Sequence, residues 1–561
     1  MLHKFINNIV NSLLSCAEEL RDRKKAQRKS HVHGDPHSHS GRRRMPYQLG
    51  RATFEDIPEE LRCYILSFLS GNDIMRCAST CQKVYNTVKS SAELQYTIEL
   101  GAQRLIEVHP RSPTVSSAEC LRILRNKANT WNSFQLDDAT APCDTTLLDF
   151  VSISHKQILF STRSARVDAL SHAVNIKTIT TTSGHLVMNQ APHTFRYIDE
   201  LQDLEITIKL PVNVDSHTFK CQILSRMIST GEEHPLAHGS HIVTSRAAFR
   251  ESQTVKISVS VLGDRLAVYF FGRDENGDLY WSLHVLSWYQ CNQADDICAI
   301  GNGNQLHDFR FLTKEKLLVL SSDNTIELYN IEDLSIAPQL QARFMLPIHY
   351  HQMLGGFFHS LVFHNTGSHA HLAAPDNHWI WTTHPADQVI YMVFGPPSSA
   401  IIISARICFM DIPPAWFDVA SEDGRSVPWS SWGPQNSRYF SEDMFNSQVL
   451  PARTLGVGGS RVIRAVPVAG RSDSPFRLHM MDFNPSAVAR GIGKVVRKPT
   501  SSMGLQQDMQ VRTYLPFVEV VHDQVFDGSP WSIAVNEEVV VVITELKMKS
   551  ERKLQAKIFF M

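Results

Sequence analysis

The sequence predicts a multidomain chain, with a small all-α module followed by a large all-β domain. The β domain is expected to be a β-propeller, with a stacked-sheet or sandwich arrangement as the alternative. Three observations carry this. Residues 54–88 hold apolar side chains at three- and four-residue steps, the period of a helix face. After about residue 147 that spacing gives way to short alternating or apolar runs bounded by turn residues. The length of 561 residues leaves room for two or three domains.

Taken in chain order, residues 1–48 form a basic, His-rich extension. Leu2, Phe5, Ile6, Ile9, Val10, Leu13 and Leu14 share one face of a possible amphipathic helix, too broken by Asn7, Asn8 and Asn11 to be a secretory core. Ten Lys or Arg face four acidic residues in the first 45, and His31 to His39 adds a histidine-rich stretch with too little apolar mass to fold. Loose metal binding there lacks a rigid frame, so no metal or cofactor is expected. The whole chain, these residues included, has a net charge of −1, so no specific nucleic acid is implied. The longest unbroken aliphatic run, Val539 to Ile543, is too short for a transmembrane segment. Ten scattered cysteines with no Cys-x-x-Cys pair point to a reducing compartment, and a cytoplasmic or nuclear location is expected.

Residues 49–93 read as the helical module. Pro58 suits a first helical turn, with Glu59 and Glu60 at its positive end. Leu61, Ile65, Leu66, Phe68 and Leu69 supply more apolar surface than a short helix needs. Gly71, Asn72 and Asp73 then break the chain, with Asn72 or Asp73 as the cap of a second helix that carries Ile74, Cys77, Cys81, Val84 and Val88. Such short helices cannot bury all of this between themselves, so some of it must meet further helices or another chain. Residues 94–146 read as a helical linker. Leu94, Ile98, Ala102 and Leu105 line one helix, and Ser116 with Glu119 forms a capping box for another.

Residues 147–561 read as the β-rich domain. One strand unit runs through 255–261, 264–271 and 280–288 with turns at Gly263 and Gly277; a second runs through 306–311, 316–320 and 325–330. Further pairs follow at 401–410, 461–483 and 537–560. A radial assembly would let each small sheet bury its faces against its neighbours, which is the reason for expecting a propeller.

The segment Ile57-Pro-Glu-Glu-Leu-Arg-Cys-Tyr-Ile-Leu-Ser-Phe-Leu, followed by Asp73-Ile and Cys81-Gln-Lys-Val, resembles the F-box motif. That pattern runs Leu-Pro-x-Glu-(aliphatic)-x-x-x-Ile-Leu-x-x-Leu, then Asp-Leu, then Cys-Arg-x-Trp. Ile57, Pro58, Glu60, Leu61, Ile65, Leu66, Leu69 and Cys81 occupy its positions, while Gln82 and Val84 depart from it. The rest resembles the F-box proteins of mushroom-forming fungi, with a WD40-like region suggested by Ser321 to Asn330. The resemblance implies an adaptor that binds a Skp1-like protein, and through it a cullin-RING ubiquitin ligase, while its large domain holds a protein substrate. The implied docking residues are Ile57, Pro58, Glu60, Leu61, Ile65, Leu66, Leu69, Ile74, Cys81 and Val84. The alternative is a non-ligase interaction scaffold with a degenerate F-box, and a propeller enzyme is the third reading.

Catalytic signatures are absent from the sequence: there is no phosphate loop, no His-Glu-x-x-His and no Gly-x-Ser-x-Gly. His234, His238 and His241 lie near Pro235 and Gly239, which favours a loop over a metal site. Gly456 to Ser460 precedes a strand, as a turn does. For substrate recognition the loop Ser430 to Tyr439 is nominated, with Trp429, Trp432 and Arg438 as anchors.

Overall fold

A computed structural model describes residues 54, 57–107, 115–139, 148–153, 157–162, 171–175, 185–186, 194–199, 202–209, 219–237, 239–245, 256–273, 279–289, 298–303, 306–321, 325–347, 381–394, 399–421, 424–440, 455–468, 475–503, 510–547 and 552–561. The expectations for residues 1–48, and those for Gly277 and His238, lie outside them. The chain divides into two compact units. One takes in the described residues up to Gln103 and the helical residues up to Ala128; the other takes in Arg104 to Glu107 and everything from Asn129.

The first unit is built from α1 (Glu59–Leu66), α2 (Gly71–Ala78), α3 (Gln82–Ser90), α4 (Ala92–Gln103) and part of α5 (Ser117–Ser133). Its core is Leu66, Ile74, Ala78, Val84, Val88 and Leu94, with Cys63, Leu69, Cys77 and Ile98 packed around them. The cap of α2 differs from expectation. Ser70, not Asn72 or Asp73, is the N-cap: its hydroxyl oxygen accepts from the Asp73 backbone N–H at 3.3 Å. Gly71 is therefore the first helical residue and not a break. A Cβ there would lie 2.8 Å from the Thr97 carbonyl oxygen and 3.0 Å from Ile98 Cα, so its missing side chain lets α2 approach α4. Ser116 caps α5 as expected, accepting from Glu119 N–H at 3.2 Å, while the Glu119 carboxylate turns to Arg122.

The second unit is a succession of antiparallel sheets, and most of the expected strands are present. The exception is 407–410, expected to pair with 401–404, because Ala405–Cys408 is a 3-10 helix and Ser399–Ser404 pairs with Val389–Phe394 and Ser437–Phe440. Lys256–Leu262, Arg265–Arg273 and Leu279–Ser287 pair in sequence order, with Gly263 at φ +57° in the first hairpin turn. Leu306–Thr313, Lys316–Ser321, Thr325–Asn330 and Gln339–Met345 form the next sheet, which ends on a short parallel strand at Ser426–Val427. Leu455–Gly458, where a turn was expected, is a strand paired with Arg461–Pro467, and only Gly459, at φ +58°, and Ser460 make the turn between them.

The propeller and WD40-like expectations are corrected. Among the described residues each sheet has two to five strands and remains open, and none closes into a barrel or propeller. The stacked-sheet alternative fits better. Successive sheets pack face to face. Ile206, Ile223, Val268 and Trp288 join two of them, and Leu320, Phe344, Ile401 and Tyr439 join two others. Strand–turn–strand patterns specify local meanders and the faces they bury. They carry no information on ring closure, which is why the sequence misled. Tyr329, taken as the end of a WD40-like repeat, instead donates to the Glu327 carboxylate on its own strand at 2.8 Å. The sheet made by Ser529–Val535, Val539–Lys547 and Arg552–Phe560 takes its fourth strand from Asp137–Ala139, near the start of the unit.

Candidate functional site

Helix α1 has two unlike faces. Arg62 and Leu66 point inward, at 5% and 0% exposure, whereas Leu61, Tyr64 and Phe68 stand 53%, 56% and 50% exposed. The last three follow one another by three and four residues, one outward stripe of a helix and its closing turn. The Tyr64 and Phe68 rings meet edge to face at 4.9 Å, which holds them together on the surface. Met75 on α2 and Tyr85 on α3 are also about half exposed. Five large apolar side chains bared on one small unit are more than scattered surface residues require.

The helix is held in place beneath this stripe. Pro58 begins α1 with extended backbone, at φ −52° and ψ 149°, and supplies no side-chain cap. The Glu59 carboxylate accepts from the Ser90 hydroxyl at 2.8 Å, tying the start of α1 to the end of α3. Burial raises the pKa of the Cys63 and Cys77 thiols above the ordinary value, so both remain protonated at neutral pH and serve as packing groups.

The docking residues read from the sequence fall into three groups. Pro58, Glu60 and Leu61 are exposed, and Ile57, Ile65, Leu69 and Cys81 are half-buried. Leu66, Ile74 and Val84 are buried in the core of the unit. The docking list omits Tyr64 and Phe68, which occupy positions that the motif leaves free, although Phe68 was counted in the surplus apolar surface. Their signal was available: a helix face with Leu66 inside places Leu61, Tyr64 and Phe68 outside. Residues 54–95 match the family model of the F-box domain.

Residues 54–95 are an F-box domain. An F-box is a non-catalytic protein-interaction module, and this one comprises α1, α2, α3 and the start of α4. No curated protein matches the chain. Among solved structures, one described as "Crystal structure of the eukaryotic initiation factor" is similar at 10% identity and a TM-score of 0.29, covering 74% of this chain and 78% of that one. A likeness at that level carries no inference about function.

In the β-rich unit two of the nominated substrate anchors, Trp432 and Arg438, lie inside the fold, and Trp429 is partly buried. Trp429–Asn436 is a helix and Ser437–Phe440 a strand, where a loop was expected. Trp432 is fully buried, donating its indole N–H to the Met345 carbonyl at 3.1 Å, and Trp429 meets it edge to face at 4.8 Å. Arg438 is 2% exposed; it donates to the Lys498 carbonyl at 2.6 Å and lies over the Phe517 ring at 5.1 Å. Burial depresses its guanidinium pKa below the ordinary arginine value. Sequence reasoning took tryptophan density as a surface signal, and here it marks a core.

His234 is likewise structural. Its Nε2 is 3.1 Å from the Gln202 carbonyl and its ring packs on Trp288. No group of three or more His, Cys, Asp or Glu among the described residues is placed to hold a metal ion. No helix among them is long and apolar enough to cross a membrane.

Proposed function

We propose that this chain is a protein-interaction scaffold, docking one partner through its F-box and presenting another on its β-rich unit. The observation that carries the proposal is the bared Leu61, Tyr64 and Phe68 stripe above a fully packed core. Such a surface is costly to leave in water and is stabilised when a partner covers it. The docking stripe is an independent feature of the F-box, whatever its partner does next.

A finer reading makes the chain an adaptor that binds a Skp1-like protein and recruits a cullin-RING ubiquitin ligase to a protein substrate. The F-box resemblance supports it, through Ile57, Pro58, Glu60, Leu61, Ile65 and Leu69. Val84 favours the scaffold without ligase recruitment. It lies 3% exposed in the core, at the position where the motif has a tryptophan. Co-expression of the full chain with the Skp1 of its own organism separates the two. A stable stoichiometric complex supports ligase recruitment; a folded chain that leaves Skp1 unbound supports the scaffold.

A further inference from the structure

The β-rich unit contains a cavity of about 360 Å³ whose lining combines apolar walls with two guanidinium groups. Phe483, Val488 and Leu515 form part of its walls, and Arg406 and Arg497 contribute the charge. The lining holds one carboxylate, Asp387, and it is already engaged. Arg406 donates to Asp387 Oδ1 from Nε at 2.9 Å and again from a terminal nitrogen. Asp387 is 5% exposed at its side chain while Arg406 is 40% exposed, so the pair is anchored on its acidic side and open on its basic side. The volume lies within the range of sites that take a few side chains of a ligand.

The segment that carries Arg497 bears charge of the same sign. Residues 490–498 contain Arg490, Lys494, Arg497 and Lys498 and no acidic residue, in a chain whose total charge is −1. All four are exposed. Lys494 meets Glu519 at 3.3 Å, leaving the segment with a surplus of positive charge.

We propose that this cleft binds an acidic peptide segment that carries an apolar anchor. The anchor enters between Phe483, Val488 and Leu515, and flanking carboxylates meet Arg406, Arg497 and Lys498. Charge complementarity selects an anionic partner. The apolar walls select a peptide over a nucleic acid, whose backbone is matched by a broad basic track. The inference deepens the scaffold reading by naming a partner class for the β-rich unit, and it stands independently of what the F-box binds.

The test is fluorescence anisotropy with the full chain and a fluorescein-labelled peptide in which glutamates flank one leucine. Three probes accompany it: glutamines for glutamates, serine for leucine, and phosphoserines for glutamates. A labelled single-stranded oligonucleotide is the fourth. Saturable binding of the acidic peptide, weakened at least tenfold by either the glutamine or the serine change, is expected. The variants Arg497→Glu and Lys498→Glu, both at exposed positions, are each expected to weaken it at least fivefold with circular dichroism unchanged. The phosphoserine peptide identifies which anion is preferred, and tighter binding of either anion agrees with the site. Equal affinity for the glutamine peptide, no binding of either anionic peptide, or tighter binding of the oligonucleotide overturns the proposal. Loss of Skp1 binding alone leaves these results unchanged, so failure of the F-box reading and failure of this one are distinguishable.

Discussion

Arg62 on α1 donates from Nε to the Thr87 hydroxyl on α3 at 3.1 Å, with both side chains buried in the helical unit. A second donor of the same guanidinium reaches the Ile57 carbonyl at 3.0 Å, and the Thr87 hydroxyl donates in turn to the Lys83 carbonyl at 3.1 Å. This buried arginine thus fixes the helix that carries the exposed stripe. Arg62→Met keeps the aliphatic stem and removes the donors, and it should destabilise the unit by about 1.5–3 kcal/mol, the range for hydrogen bonds to charged groups. Chemical denaturation followed by the helical circular dichroism signal checks it. An unchanged midpoint would show that Arg62 is dispensable for positioning α1.

Gly71→Ala tests the close approach of α2 and α4. Elsewhere on a helix this change is stabilising, because alanine is the better helix former. Here the new Cβ meets backbone atoms of Thr97 and Ile98 at 2.8 and 3.0 Å, and backbone cannot swing aside. Steric strain of roughly 1–3 kcal/mol should outweigh the gain in propensity. A lowered melting temperature is expected, and a raised one would contradict the packing.

Trp432→Phe tests whether that tryptophan holds the core or recognises a partner. The change removes the indole donor to Met345 and part of a ring packed on Phe344 at 5.4 Å. A loss of about 1–3 kcal/mol in stability is expected from the orphaned carbonyl and the lost volume. The acidic-peptide affinity of the folded variant should stay within twofold of the parent, as measured by anisotropy below its melting temperature.

Glu519 sets a pH dependence. A hydrogen bond from His479, with Arg464 and Lys494 nearby, outweighs the effect of burial and lowers its pKa from 4.5 to about 2. Its folded-state pKa is depressed, so its contribution is complete above about pH 4.5. That contribution is lost as pH falls from there through about 2, where the folded carboxylate takes up its proton. The stability difference between the parent and Glu519→Gln should therefore be constant near neutrality and shrink through that acid window. Urea unfolding midpoints across the window measure it; a difference that grows with acidity would reverse the assignment.

These residues also show what was legible beforehand. The 3.6-residue spacing of Leu66, Ile74, Val84, Val88 and Leu94 is a local signal, and it correctly marked a helical core. Strands such as Thr325–Asn330 were readable for the same reason: alternation and turn residues act over a few positions. The role of Gly71 depended on Thr97 and Ile98, some 26 residues away, and no local pattern encodes that. Trp432 and Arg438 failed as surface anchors because burial is decided by Met345, Lys498 and Phe517, from distant parts of the unit. The propeller expectation failed at the same level, since meanders are local and the arrangement of sheets is not. The cleft around Arg406 and Arg497 joins segments about 90 residues apart, and only the fold brings them together.

The most direct test of the central claim compares the full chain with a Leu61→Ala, Phe68→Ala variant by affinity-purification mass spectrometry under proteasome inhibition. Both side chains are half exposed, so the variant should keep its helicity by circular dichroism. Removing two interface anchors costs about 2–4 kcal/mol, roughly thirty- to a thousandfold in affinity. The account predicts that at least one direct partner of the parent is depleted tenfold or more from the variant, while partners of the β-rich unit are retained. Recovery of Skp1 and a cullin among the depleted proteins would select ligase recruitment, and their absence the scaffold. Identical partner sets from two equally folded chains would contradict a docking face on α1.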